Sequence, residues 1–294
     1  MRKSIRNDNL IFHFHDTIEM MTEQKKIQIG NSVLYLGDAF DILPKLGDAS
    51  IDALISDPPY ASKSFGGKCT ACDWDKPIPL DRFWQLVECK CKQSANIVLF
   101  GNMKFGCELL QIKKDWFRYD LVYAKPRTCG WLNSRLQPLR SHENLYVFGR
   151  PGYQKSACYN PQKVQSNRRP AGYREIHRHK GGVYGHEGIY IHTSDGTSNP
   201  RSVLPIFPDD RGNNQSGQNF HPTQKGTQAM VWLIETYSNP GDVILDSFMG
   251  SGSTGVAAVQ TGRKFIGIEK SESYFTTAVD RIQAAHDTKC AALF

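Results

Sequence analysis

A glycine-rich loop between a strand and a helix constrains the fold of this chain more than any other feature. The apolar run 243–246 predicts a buried strand, and the patterns at 254–261 and 264–268 predict the helix and strand that follow. The loop matches G-x-G-x-x-G at Gly250, Ser251, Gly252, Ser253, Thr254 and Gly255. Glu269 follows the next predicted strand, 19 positions after Gly250. Because such glycines admit a ligand to the backbone and such an acid binds ribose hydroxyls, the pattern predicts an open α/β sheet that binds a nucleoside-containing ligand. The alternative is a tight turn packed for its own sake.

The fingerprint by itself does not separate NAD from S-adenosylmethionine, since both present an adenosine ribose to the acid. Phe248 adds an apolar wall, and Asp246 places a carboxylate where a cationic ammonium or sulfonium group could lie. A pyrophosphate prefers a helix N-terminus without nearby negative charge. These details favour S-adenosylmethionine. Asp38 follows a predicted strand at 32–36, and its position is typical of the N-cap residue of a helix at 39–43. Its carboxylate could also accept a hydrogen bond from an adenine amino group.

A second motif, Asp57-Pro58-Pro59-Tyr60, follows an apolar run at 51–55 that predicts a buried strand. Catalytic groups of open α/β sheets lie at the carboxyl ends of the strands. The two prolines stiffen the turn and keep the Pro58 carbonyl out of a local helix. Asp57 and that carbonyl can accept the two N–H bonds of an exocyclic amino group while Tyr60 stacks on the ring. The alternative is a proline-rich strand exit with a surface aspartate.

Two α/β blocks, at 27–149 and 221–294, flank an irregular segment at 150–220, and residues 1–26 have the character of a loosely attached arm. Alternation of short apolar strands with helical segments predicts parallel strands joined by crossover helices. The first block has predicted strands at 32–36, 53–56, 96–100, 119–123 and 144–148, and predicted helices at 81–92 and 104–113. The second adds helices at 227–237 and 273–285 to the elements around the glycine loop.

The segment at 150–220 is basic, with ten Lys or Arg against five Asp or Glu in a chain of net charge +7. Interleaved tyrosines make it typical of a surface that contacts a phosphate backbone, with a solvated loop region as the alternative. The candidate contacts combine basic residues of this segment with arginines of the first block: Lys155, Arg168, Arg169, Arg174, Lys180, Arg127, Arg135 and Arg140.

Composition argues against several classes of protein. No apolar stretch of the 294 residues approaches the length of a membrane span, and the run at 10–14 is too short for a signal-peptide core, so we expect a cytoplasmic protein. The eight cysteines are then expected to be free thiols. We expect no metal site, because Cys89 and Cys91 lie two apart in a helical pattern and point to different sides. The other residues weighed as metal ligands are Cys69, Cys72, His177, His179, His186 and His192.

Three motifs in a fixed order carry a family resemblance. They are D-P-P-Y at 57–60, H-P-T-Q-K at 221–225 and D-S-F-M-G-S-G-S-T-G at 246–255. With the tetrapeptide first, a recognition segment in the middle and the glycine loop last, the chain resembles the β-group of exocyclic-amino DNA methyltransferases, which act on adenine N6 or cytosine N4. The similarity extends over most of 30–281 and includes the segment 139–143. The chain departs from the group's H-P-T-Q-K-P in having Gly226, which loosens the start of the following helix.

The resemblance implies a doubly wound, mostly parallel sheet of the Rossmann-like methyltransferase fold, with S-adenosylmethionine as cofactor and 150–220 as a target-recognition insert. Glu269 would bind the ribose of the cofactor, Asp38 its adenine, and Lys225 would lie near its carboxylate. The methionine and sulfonium end would be lined by Asp246, Phe248, Gly250 and Gly252, and the cofactor loop continues through Ser253 and Thr254.

The resemblance also implies the reaction. An adenine would leave the DNA duplex and stack on Tyr60, and Asp57 and the Pro58 carbonyl would accept its two amino N–H bonds, so that N6 receives the methyl group directly. The same family likeness implies a homodimer on double-stranded DNA. The sequence determines neither the recognition sequence nor whether a restriction endonuclease is a partner.

Several alternatives stay open at the level of sequence. An N4-cytosine enzyme would use the same geometry, although Asp rather than Ser before Pro-Pro favours adenine in the resembling group. A dinucleotide-dependent oxidoreductase would explain the glycine loop and Glu269, but neither the tetrapeptide nor the basic segment. The intact tetrapeptide argues against a non-catalytic DNA-binding module, and the lack of a stacking module argues against RNA as the substrate.

Overall fold

A mixed β-sheet forms the centre of the protein in the computed structural model, which describes residues 25–61, 75–153, 155–165, 172–178, 188–205, 207 and 224–292. The strands in chain order are β1 (Lys26–Ile29), β2 (Ser32–Leu36), β3 (Ile51–Ser56), β4 (Cys91–Gly101), β5 (Phe117–Cys129), β6 (Arg140–Phe148), β7 (Val164–Gln165), β8 (Gly172–Arg178), β9 (Gly188–Ser194), β10 (Thr197–Ser198), β11 (Val203–Leu204), β12 (Val243–Asp246) and β13 (Lys264–Glu269). The helices are α1 (Ala39–Ile42), α2 (Leu80–Lys90), α3 (Met103–Lys113), α4 (Thr227–Tyr237), α5 (Ser253–Gln260) and α6 (Glu272–Ala291).

Strand direction brings most of the strand ends to one edge of the sheet. Within the described part of the chain the sheet has nine strands in the order β1-β2-β13-β12-β3-β4-β6-β5-β11. The five strands β2, β13, β12, β3 and β4 are parallel, whereas β6 is antiparallel to both β4 and β5. The carboxyl ends of the parallel strands, the end of β5 and the start of β6 therefore share one edge, called the carboxyl edge below.

The strands β3 and β12 lie side by side at the point where the order of the sheet reverses. From β3 the chain passes through α2 to β4 on one side, and from β12 it passes through α5 to β13 on the other. Such a switch point leaves a crevice beyond the carboxyl ends of the two strands, because the connections that follow them lead to opposite faces of the sheet. Both sequence motifs therefore begin beside one crevice.

The core has two apolar layers, one on each face of the sheet. Helices α4, α5 and α6 pack on one face around fully buried residues such as Leu233 and Phe275. Helices α1, α2 and α3 pack on the other face around Phe83 and Trp84. The central strands are buried on both faces, which explains why 51–55 and 243–246 are almost continuously apolar. The result is a three-layer Rossmann-like domain, as predicted.

The structure corrects two details of the predicted elements. The connection between β5 and β6 contains only ten residues, 130–139, which is too few for a parallel crossover, so these strands form an antiparallel hairpin. The predicted helix 81–92 ends at Lys90, and β4 begins at Cys91, where the Cys91 residue pairs in register with Ile51.

The segment predicted to be irregular, 150–220, contains short strands where the structure describes it. Strands β8 and β9 form an antiparallel pair, β7 pairs with β10, and β11 adds to the central sheet beside β5. The Asn160 side-chain amide donates to the carbonyls of Glu235 and Ser238, which ties the segment to the end of α4. These strands have only two to seven residues, and their apolar residues do not alternate regularly with polar ones, so their signal in the sequence is weak.

Three further findings concern membrane, thiol and metal predictions. None of the helices in the described ranges has the length and apolar character that a membrane crossing requires. The six cysteines that the structure describes are free thiols, as predicted, whereas Cys69 and Cys72 lie outside the described residues. Across the described ranges, no three His, Cys, Asp or Glu side chains come together as a metal site.

Candidate active site

A buried hydrogen bond joins the two sequence motifs across the switch point. Ser56, the last residue of β3, donates from Oγ to Oδ1 of Asp246, the last residue of β12, at 2.7 Å. The tetrapeptide follows Ser56 directly, and the glycine loop follows Asp246. A substrate held at Asp57 and a ligand held by the glycine loop would therefore be neighbours.

The glycines of the loop differ in what surrounds them. Gly250 has a φ of +52°, and a Cβ placed there would meet nothing within 4 Å. Gly252 has a φ of +81°, and its Cβ would lie 2.9 Å from that of Ala278. Gly255 is hemmed in by Ile282 and by the ring of Phe265, whose Cε1 would be 2.7 Å from an added Cβ. The first glycine thus leaves room for a ligand, and the other two allow α5 to pack closely on α6 and β13.

Asp246 organises the loop from a buried position, with 3% of its surface exposed. Its carboxylate accepts from the Thr254 hydroxyl at 2.6 Å and from the Phe248 backbone N–H at 3.1 Å, in addition to Ser56. Burial raises the pKa of Asp246 to about 6, although these three donors favour the ionised form. The expectation that Asp246 faces the cationic end of a cofactor stays a prediction. What the structure shows is that it fixes the loop and the start of α5.

Glu269 and Asp38 also hold backbone near the loop. Glu269 accepts from the N–H of Gly250 at 2.9 Å and from that of Ser271 at 2.7 Å, and burial raises its pKa. Asp38 accepts from the Phe40 N–H at 2.9 Å, so the N-cap interpretation is confirmed, and its other oxygen pairs with Lys270 at 2.9 Å. The roles of Glu269 at a ribose and of Asp38 at an adenine remain predictions.

Asp57 lies at the centre of a charged cluster. The Tyr60 hydroxyl donates to its Oδ1, and the Lys225 ammonium donates to its Oδ2 at 2.5 Å. The Tyr60 ring packs against Phe105 with centroids 5.9 Å apart. Burial and the nearby carboxylates raise the pKa of Tyr60 well above its ordinary value, so the phenol stays neutral and acts as a donor.

Glu143, on β6, completes the cluster and was missed as a site residue by the sequence analysis. Its Oε2 lies 3.0 Å from the Lys225 Nζ, and its Oε1 pairs with Lys125 of β5. Burial would raise the pKa of Glu143, but the two lysines outweigh it and hold that pKa at about 2. The signal available in the sequence was a glutamate two positions before the apolar run of β6, which starts at Leu145. Nothing in the sequence around Lys125 indicates that it pairs with Glu143.

Lys225 is buried, and the structure places its ammonium between the carboxylates of Asp57 and Glu143. Burial lowers its pKa, but Asp57 and Glu143 outweigh this effect and raise it, so the ammonium stays charged. Its Nζ also lies 4.9 Å from the centre of the Phe100 ring. The expected position near a cofactor carboxylate stays a prediction, and the observed partners are two protein carboxylates.

The residues around Lys225 connect the two sides of the crevice. The hydroxyl of Ser251 in the glycine loop donates to Gln224 Oε1 at 3.2 Å. Gly226, at the position where the group has proline, is the N-cap residue of α4 with an extended backbone. The motif 221–225 therefore contacts the loop through one residue and Asp57 through the next. Residues 221–223 lie outside the described residues.

The predicted DNA contacts divide into three groups. Arg135 and Arg140 are exposed in the connection between β5 and β6 and at the start of β6, on the carboxyl edge. Lys155 is exposed in the turns that follow β6, at the opposite edge of the sheet. The remaining side chains, those of Arg127, Arg168, Arg169, Arg174 and Lys180, lie outside the description of the structure.

The chain is similar to known proteins both in sequence and in structure. Residues 51–280 match the model of the N6/N4 methyltransferase family, which is described as DNA methylase. The chain is 29% identical over 282 residues to the DNA adenine methyltransferase YhdJ of Escherichia coli (strain K12), covering 90% of this chain and 88% of that protein. It is 42% identical over 101 residues to the putative methylase YubD of the same organism, a match that covers 34% of this chain and 43% of that protein.

Two solved structures share the fold. The complex of M1.HpyAVI with S-adenosylmethionine aligns with a TM-score of 0.54 at 23% identity and covers 84% of this chain and 98% of that one. The cytosine-N4-specific PvuII DNA methyltransferase aligns with a TM-score of 0.57 at 17% identity, and the alignment covers 88% of this chain and 93% of that one. At these identities the likeness demonstrates the architecture, a doubly wound, mostly parallel sheet.

Proposed function

The chain belongs to the N6/N4 family of DNA methylases, and from that premise we propose that it methylates the exocyclic N6 of an adenine flipped out of duplex DNA. The observation that carries this proposal is the position of Asp57 beside the glycine loop, with Ser56 and Asp246 hydrogen-bonded at 2.7 Å between them. An acceptor for an amino group and a nucleoside-binding loop are thereby neighbours, as direct transfer requires.

S-adenosylmethionine is the methyl donor of this family, and the residues of the crevice fit it. The space above Gly250, in which a Cβ would meet nothing within 4 Å, admits a ligand to the backbone. The half-buried Glu269 carboxylate borders that space because it accepts from the Gly250 N–H. We propose that the loop residues Gly250 and Gly252, with Phe248 and Glu269, hold the cofactor. When bound, it supplies an electrophilic methyl group.

The residues of the tetrapeptide then position the target base. An exocyclic amino nitrogen is a weak nucleophile because its lone pair is delocalised into the ring. Asp57 and the Pro58 carbonyl accept its two N–H bonds, which aims the lone pair away from the ring plane and towards the methyl group. No described backbone N–H donates to the Pro58 carbonyl. As the new nitrogen–carbon bond forms, the bond between the methyl group and the sulfonium sulfur would break and leave a thioether, and the proton that the methylated nitrogen loses would pass to water.

The charged cluster keeps Asp57 suited to this task. The Lys225 ammonium donates to Asp57 Oδ2 at 2.5 Å and so holds the carboxylate in place, and a carboxylate can only accept hydrogen bonds. Each carboxylate oxygen has two acceptor sites, so Asp57 can keep Lys225 and still accept from a substrate. The Tyr60 hydroxyl bonded to Asp57 fixes the ring on which the flipped base would stack.

Two observations support adenine over cytosine. The relative that matches 90% of the chain is named a DNA adenine methyltransferase, and the residue before the two prolines is Asp57, as favoured in adenine enzymes of the group. The cytosine-N4-specific structural neighbour shares the architecture only. We further propose that the basic segment 150–220 contacts the DNA backbone and that the working form is a homodimer.

The experiment that tests the proposal is nucleoside mass spectrometry of mixed-sequence duplex DNA after incubation with the protein and S-adenosylmethionine. We expect N6-methyladenine with the wild type and none with Asp57→Ala. N4-methylcytosine would keep the mechanism and overturn the choice of base. Unmethylated DNA with the wild type, in the presence of demonstrated cofactor binding, would overturn the proposed substrate.

A further inference from the structure

Three large apolar side chains are exposed together at the tip of the β5–β6 hairpin. The exposed fractions are 67% for Trp131, 102% for Leu132 and 86% for Leu136. Exposure of single apolar residues is ordinary, but three within six positions of one turn form a patch that water solvates poorly. The hairpin tip, defined as residues 130–136, therefore has the character of a contact surface.

The backbone of the tip is held in one conformation. Gly130 opens the turn with a φ of +93°, a left-handed conformation that suits glycine. The N–H of Asn133 then donates to the Gly130 carbonyl at 2.9 Å, and the N–H of Ser134 to the Trp131 carbonyl at 3.1 Å. Because these bonds order the turn before any partner arrives, the tip presents Trp131 and Leu132 at little further cost in entropy.

The base of the same hairpin is part of the active site. Glu143 of β6 lies 3.0 Å from Lys225, and Lys125 of β5 pairs with Glu143. From Glu143 the hairpin extends past the carboxyl edge to Arg140, three residues or about 10 Å further out, and then to the tip. A macromolecular substrate that reaches Asp57 must therefore lie beside the hairpin.

The charge of the hairpin identifies the kind of substrate. Residues 121–142 include Lys125, Arg127, Arg135 and Arg140 and contain no Asp or Glu. Arg135 lies within the tip itself and is exposed. An apolar tip with only positive charge around it fits a polyanion that also offers an apolar interior, and duplex DNA has both its phosphates and its stacked bases.

We infer that the hairpin tip is a wedge that enters the duplex beside the target base. Trp131 and Leu132 occupy the space that the flipped base leaves, and the arginines contact the flanking phosphates. Apolar side chains of this size are used in this way by proteins that unstack base steps. The inference rests on the proposed function and adds to it the element that extrudes the base.

The test compares two DNA substrates that differ in the cost of flipping. Sequencing of DNA methylated by the wild type gives the recognition sequence, and two duplexes containing it are made. In one the target base is paired, and in the other it lies opposite an abasic site, so little unpairing is needed. Single-turnover methylation is measured for the wild type, for Trp131→Ala/Leu132→Ala, and for Ile112→Ala. Ile112, 37% exposed near the end of α3 at the opposite edge, is the matched control.

We expect the double variant to lose about tenfold or more on the paired duplex and to recover most of that loss on the abasic duplex. Ile112→Ala should match the wild type on both. An equal loss on both duplexes, or no loss on either, overturns the wedge while leaving the proposed function intact. If the double variant differs from the wild type in its sedimentation mass without DNA, the tip is a contact with a second copy of this chain, and the wedge is overturned. A wild type that methylates no DNA contradicts the proposed function itself, and the wedge with it.

Discussion

The Lys225 ammonium lies 2.5 Å from Oδ2 of Asp57, although the two residues are 168 positions apart in the chain. This ion pair is buried on the lysine side, where only 8% of the side chain is exposed, and Glu143 shares the lysine from 3.0 Å. Two carboxylates and two lysines, including Lys125, make the cluster neutral as a whole. The cluster joins the tetrapeptide, the motif before α4 and the β5–β6 hairpin in one unit.

The first prediction concerns the Asp57 carboxylate. Asp57→Asn keeps the size of the side chain but removes its negative charge and replaces an acceptor with a donor, which would face the substrate N–H. We expect the single-turnover methylation rate to fall at least about a hundredfold. Cofactor affinity, measured by calorimetry, should change much less, because the hydrogen bonds described for Asp57 are to Tyr60 and Lys225, outside the glycine loop. Asp48→Asn, an exposed aspartate paired with Lys90, is the control and should leave both quantities as in the wild type.

The second prediction is a double-mutant cycle on Lys225. Lys225→Met leaves Asp57 and the buried Glu143 without their shared cation, and removal of one partner from a buried pair costs about 3–5 kcal/mol of unfolding free energy. The double variant Lys225→Met/Glu143→Gln removes the more deeply buried of the two carboxylates and leaves only the partly exposed Asp57 without its cation, so it should regain part of that loss. Denaturant unfolding measures both. Additive losses in the double variant would mean that the two side chains do not interact.

The third prediction follows from the pKa of Glu143, which is about 2 in the folded protein against an ordinary value of 4.5. The folded state binds fewer protons than the unfolded state at this group, so its contribution to stability is present above pH 4.5 and is lost as the pH falls towards 2. In Glu143→Gln we expect a flatter decline of unfolding free energy with acid across that window. Glu88→Gln, which alters a surface pair with Lys113, should retain the wild-type slope. An unchanged slope in Glu143→Gln would contradict the proposed ionisation.

The fourth prediction separates two glycines of the cofactor loop. Gly250→Ala puts a methyl group into open space at a φ of +52°, so we expect a stability loss of about 1–2 kcal/mol from the backbone together with a much weaker cofactor affinity. Gly255→Ala forces a methyl group against Ile282 and Phe265 and should mainly destabilise the fold. Adding Ile282→Val should restore part of the stability of Gly255→Ala. If Gly250→Ala bound S-adenosylmethionine as the wild type does, the cofactor would not approach this glycine.

Local pattern and chain order determined much of this protein. The apolar runs at 51–55 and 243–246 are long enough to be strands buried on both faces, and the turn chemistry after them is specific, so both motifs could be placed at strand ends. The N-cap at Asp38 was predictable because a helix cap depends on neighbours in the sequence. The antiparallel β6 was not predicted, since strand direction depends on the pairing partner as well as on the strand itself.

Only the tertiary structure decided how distant residues share the crevice. The sequence provides Asp57, Lys225 and Glu143 as separate charges, and nothing in their local context selects one pairing among the many that a basic chain allows. The sheet order places β3 beside β12 and carries β6 back to the carboxyl edge, and this brings Glu143 to Lys225 and Lys225 to Asp57. Burial there makes unpaired charge costly, and the two carboxylates are neutralised by Lys225 together with Lys125. The exposed tip of the β5–β6 hairpin has the same origin, because the distance of a loop from the active site is set by strand direction and not by its composition.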